Sequence, residues 1–68
     1  MNNEESLEIQ VHVADLIRSK YPELRFNVIA AGEGILISND LYPAPLDIPE
    51  LEKYANEKGL GIVLSTFP

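Results

Sequence analysis

Leu7-Glu8-Ile9-Gln10-Val11-His12-Val13 decides the fold of this 68-residue chain, because it satisfies two secondary-structure patterns at once. Read as a strand, its apolar residues alternate with polar ones without a break. Read as a helix, it is the middle of a segment from about Ser6 to Tyr21. Glu4, Glu5 and Glu8 then sit at the positive end of the helix dipole, Arg18 and Lys20 at the negative end, and Pro22 just beyond. The strand reading makes the domain βαββαβ, the ferredoxin-like plan. It leaves almost no connection between Val13 and Ala14-Asp15-Leu16-Ile17, and too little chain for the helix that follows. The helix reading is favoured, and it gives an α+β two-layer sandwich of order αββαβ.

Downstream, Leu24, Phe26, Val28 and Ala30 alternate with Arg25, Asn27, Ile29 and Ala31, the period of a strand. Gly32-Glu33-Gly34 follows as a turn whose glycines supply positive φ, and Ile35-Leu36-Ile37-Ser38 completes a hairpin. Asp47-Ile48-Pro49-Glu50 then opens a second helix. It places an acid three residues before a Glu, as in a capping box, with proline in the first turn where a missing N–H is harmless. Ile48, Leu51, Tyr54 and Ala55 recur at helical spacing, and Lys58 followed by Gly59 ends the helix. The stretch from Leu60 to Phe67 reads as a third strand. A helix separates it from the hairpin, so it should return parallel, by a right-handed crossover, to complete a three-stranded sheet.

At this length residues 1–68 form one domain, with residues 1–5 expected as a flexible lead-in, and the core is small. There is no cysteine, which removes disulfides. The one histidine, His12, and the scattered acids match no metal-ligand spacing, so neither a metal nor another cofactor is expected. A formal charge of −6 repels phosphate backbones and anionic lipid. Direct nucleic-acid and membrane binding are accordingly not expected. An acidic start with no apolar run behind it points to the cytoplasm.

The candidate chemistry is sparse. Ser6, Ser19, Ser38 and Ser65 lie in no nucleophile-elbow motif, and His12 is the only imidazole base, so the chain does not read as an enzyme. Gly32-Glu33-Gly34 leads into a strand and not into a helix N-terminus, which makes it a turn and not a phosphate cradle. Asp47 and Glu50 are committed to capping, and Asp40 alone makes no acid/base pair.

The stretch Ile9-Gln10, then Asp15-Leu16-Ile17-Arg18, then Lys20-Tyr21-Pro22-Glu23-Leu24 faintly resembles the opening helix of small phage-type nuclease domains of the restriction-endonuclease-like superfamily. That core also begins with a helix leading into strands. The family carries an acid on one strand and an acid-x-Lys on the next, whereas this chain has Ile35-Leu36-Ile37-Ser38-Asn39-Asp40 and then a proline loop. The metal-binding pair is missing, so the resemblance implies a degenerate nuclease-like or small-ligand-binding domain at most.

What remains is surface. A helix over residues 6–21 spreads Leu7, Ile9, Val11, Val13, Ala14, Leu16 and Ile17 over more than half its circumference. If Val28, Ile35, Ile37 and their neighbours lie beneath the helices, the other sheet face still offers Ile29, Leu36, Val63 and Phe67. The loop residues Leu41, Tyr42 and Leu46 are apolar beside prolines that limit the entropy lost on binding. Glu4, Glu5, Glu8 and Asp15 on the first helix and Glu50, Glu52 and Glu57 on the second form an acid array suited to a basic partner. The expectation is a small acidic protein-protein interaction module, homodimeric through the open sheet face. It would act by binding another protein, as a regulator or inhibitor carried by a phage or mobile element.

Overall fold

The computed structural model describes residues 1–40 and 46–66. Two helices and a three-stranded mixed sheet follow in the order α1 (Asn3–Lys20), β1 (Phe26–Ala31), β2 (Gly34–Asn39), α2 (Pro49–Lys58) and β3 (Gly61–Thr66). Residues 7–13 lie wholly inside α1, so the strand reading of that segment is not realised. The spatial order is β1-β2-β3, with β1 antiparallel and β3 parallel to the central β2.

α1 starts at Asn3 and not near Ser6, and takes up residues 3–5 of the expected lead-in. Asn2 explains the earlier start. Its Oδ1 accepts from the Glu5 N–H at 2.8 Å and its carbonyl from the Ser6 N–H at 2.9 Å, which satisfies donors that a helix start leaves unpaired. At the other end the Leu24 N–H donates to the Tyr21 carbonyl at 3.1 Å. That closes a turn with Pro22 in its second position and delays β1 to Phe26.

The hairpin closes between Ala31 and Gly34. Of its two glycines only Gly32 has a positive φ, at 61°, while Glu33 and Gly34 do not. A left-handed residue at the first central position alone is the type II′ pattern, so the expectation that both glycines supply positive φ is corrected.

α2 begins where expected but not by the expected device. Ile48 occupies the N-cap with no side-chain cap hydrogen bond. Asp47 instead brings its carboxylate to 3.9 Å from Lys20 Nζ, and its N–H donates to the Tyr21 hydroxyl at 3.2 Å. The capping-box reading of Asp47 and Glu50 is therefore corrected: Asp47 ties the entry of α2 to the end of α1. The C-terminus matches the expectation. Gly59 is left-handed at φ 70°, and the Leu60 N–H donates to the Ala55 carbonyl at 2.9 Å.

Both helices cover the same face of the sheet, α1 over β1 and α2 over β3, and they touch each other. The core between the layers joins Ile9, Val13 and Ile17 of α1 to Val28 and Ala30 of β1, Ile35 and Ile37 of β2, and Leu51 and Ala55 of α2, with Ile48 at the entry of α2. The strand alternation continues one step past Ile37 to Asn39, which is fully buried and donates from Nδ2 to the Ser65 carbonyl at 3.4 Å.

Candidate interaction surface

Among the described residues, one whole sheet face has no covering layer, as the strand period sets it. Ile29 pairs with Leu36 across the antiparallel ladder, and Leu36 pairs with Val63 across the parallel one, so the three form a single rung. They are 45%, 36% and 57% exposed, beside core neighbours such as Ile35 and Ile37 that are fully buried. With Ala31 and Gly34 they line a shallow apolar depression.

The adjacent rung is Asn27, Ser38 and Ser65, in which the Ser38 and Ser65 hydroxyls lie 3.1 Å apart. These residues carry no charge. The first charges on this face come at its end, where Arg25 Nε stands 3.8 Å from Asp40 Oδ2. The helical side is the opposite in character: Glu4, Glu5, Glu8 and Asp15 of α1 and Glu50, Glu52 and Glu57 of α2 are all exposed. The molecule is thus split into an acidic helical layer and a neutral, partly apolar sheet face. The exposed apolar part of that face is the single rung Ile29–Leu36–Val63 with the depression beside it.

Of the residues expected at a contact surface, Ile29, Leu36 and Val63 are brought together on this face. Leu46 is half-buried against the core, on the side that α1 and α2 cover. Leu41, Tyr42 and Phe67 lie outside the described residues. The broad apolar stripe of α1 is divided. Ile9, Val13 and Ile17 are buried, while Leu7 and Val11 stand 62% and 54% exposed.

The polar side chains that invited chemical readings are engaged structurally. His12 packs its ring against Tyr54 with centroids 4.2 Å apart, and Lys58 lies 5.4 Å from the same Tyr54 ring, so this cluster joins α1 to α2. Ser6 donates to the Ala30 carbonyl and Ser19 to the Asp15 carbonyl. No group of three or more His, Cys, Asp or Glu residues is placed to hold a metal ion among the described residues. No helix among them is long and apolar enough to cross a membrane.

Two features were not anticipated from the sequence. One is the buried Asn39, whose only signal is that it continues the inward alternation of Ile35 and Ile37. The other is the Ser6 contact with the β1 edge, for which residues 24 apart give no local signal. Comparison with known proteins returns no match to a family model, to a curated protein or to a solved structure.

Proposed function

We propose that the chain is a small acidic interaction module of the cytoplasm. It pairs with a second copy of itself through the open sheet face and binds another protein as a regulator, without catalytic chemistry. The observation that carries this reading is the exposed rung Ile29–Leu36–Val63 on a sheet whose covering helices lie entirely on the other side. A twofold contact is the simplest occupant, because one self-complementary patch then serves both subunits. The charge distribution agrees with it: stacking the neutral faces keeps the acidic helical layers of the two copies apart.

The size of the face sets the strength. Three strands of six residues each span roughly 14 by 20 Å, from spacings of about 4.8 Å between strands and 3.3 Å per residue. That is well below the ~800 Å² per partner of a standard interface, which puts such pairing in the weak, transient class. The same reading takes the β2–α2–β3 connection as the right-handed crossover that twisted strands favour. Light scattering on the purified chain tests the proposal. A concentration-dependent rise toward the dimer mass supports it when Val63→Asp abolishes the rise and retains the circular dichroism of the fold. A chain that stays monomeric at high micromolar concentration contradicts it.

A further inference from the structure

Among the described residues no strand lies beside the outer edge of β1, and its hydrogen-bonding groups can be assigned. The Asp40 N–H donates to the Arg25 carbonyl, so residues 25, 27, 29 and 31 exchange hydrogen bonds with β2. The main-chain groups of Phe26, Val28 and Ala30 therefore point outward. Ser6 of α1 blocks one end of this row by donating to the Ala30 carbonyl, while Gln10 reaches back to Ser6. Among the described residues Phe26 and Val28 remain as a stretch of edge with no strand paired to it, which borders a groove between α1 and β1.

The side chains along that groove differ from the rest of the surface. Val11 and Ala14 supply apolar contact from α1, and Arg18 and Arg25 stand at its rim with no acid among the lining residues, although the chain as a whole carries a charge of −6. Arg18 pairs with Asp15 at 3.1 Å and Arg25 with Asp40 at 3.8 Å. Both pairs are solvent-exposed, so an incoming carboxylate can compete for either arginine. A basic, partly apolar groove beside free strand N–H and C=O groups fits an extended segment with the opposite charge.

We propose that the β1 edge is a strand-addition site for an extended peptide segment of a partner protein, in which apolar residues alternate with Asp or Glu. Its main chain pairs with Phe26 and Val28, its apolar side chains face Val11 and Ala14, and its acids meet Arg25 on the opposite side of the pleat. The site rests on the interaction-module reading and names its partner's chemistry. It does not depend on the sheet-face dimer, because the edge and the open face are different surfaces. A second copy fits the edge less well, since twofold pairing there would bring two acid-free, arginine-bearing grooves together.

A phage-displayed library of random dodecapeptides, selected on the immobilised full chain, tests this. Enriched sequences should alternate apolar and acidic residues. A synthesised binder should slow hydrogen exchange at the Phe26 and Val28 amides in NMR, and Arg25→Glu should weaken it by about tenfold. Lys53→Ala, on the exposed side of α2, should leave binding unchanged. Absence of enrichment, enrichment of basic peptides, or binding indifferent to Arg25→Glu overturns the proposal. Protection centred on Leu36 and Val63 would overturn it and leave the open-face reading standing. Protection of Phe26 and Val28 by self-association without peptide would assign the edge to a second copy and also overturn it.

Discussion

Ser6 on α1 donates its hydroxyl hydrogen to the main-chain carbonyl of Ala30 on the free edge of β1. The contact joins residues 24 apart and fixes the first turns of the helix over the end of the sheet. It also satisfies one acceptor on the outward side of β1. Ser6→Ala removes this donor while keeping the helix, so we expect a loss of about 1 kcal/mol by urea denaturation. Hydrogen exchange at the neighbouring amides of β1 should rise more than at β2.

The two helix starts respond differently to substitution. Asn2→Ala takes away the acceptor of the Glu5 N–H and should cost about 0.5–1 kcal/mol, with fraying of the first turn visible in the NMR shifts of residues 3–6. Asp47→Ala, at a position that resembles a cap in sequence, loses only an exposed pair with Lys20 and should cost less than about 0.5 kcal/mol. Thermal unfolding of the two variants side by side separates these outcomes.

Asn39 is fully buried with its amide directed at the Ser65 carbonyl of β3. Asn39→Ala should destabilise the domain by about 1–3 kcal/mol, because it leaves both space and a weakened tie between β2 and β3. Asn39→Asp adds a pH signature. Burial raises the folded-state pKa of the new carboxyl above its unfolded value, so its penalty is greatest at neutral pH and shrinks as the pH falls. Equal stability of Asn39→Asp relative to the parent at neutral and acid pH would contradict this placement.

Ile35 and Leu36 are adjacent in sequence and on opposite faces of the central strand. Ile35→Ala should cost about 2–5 kcal/mol. A chain of 68 residues has roughly 3–10 kcal/mol in total at ~0.05–0.15 kcal/mol per residue, so that single change brings the domain close to unfolding. Leu36→Asp should cost only about 1 kcal/mol, mostly from the poor strand preference of Asp. Comparable losses at the two positions would mean that the open face is core.

The parts of the fold that were legible in the sequence are those set by period. Alternation along residues 24–31 and 35–38 places Val28, Ile35 and Ile37 inside and Ile29 and Leu36 outside, as in the structure. Residues 7–13 fit both periods, and the connection length after Val13 decided correctly for the helix. The local devices were less legible. Asp47 has the spacing of a cap, yet Lys20 and Tyr21, distant in sequence, engage it instead. Asn2 followed by Glu5 has a capping pattern too, but its place so near the chain start hid it. Of the expected contact residues, Ile29, Leu36 and Val63 share one face because strand parity alone sets which side each lies on. The Ser6 plug on the β1 edge depends on how α1 lies across the sheet, and no spacing rule carries that information.

The most direct test is methyl NMR of the parent chain across a dilution series with a soluble paramagnetic agent present. If the open face is the contact surface, the methyl groups of Ile29, Leu36 and Val63 should be broadened by the agent at low concentration and become shielded together at high micromolar concentration. Those of Leu7 and Val11, exposed on α1, should remain broadened throughout. Rung methyls that stay accessible at every concentration, with the chain monomeric, would contradict a self-association role for this face.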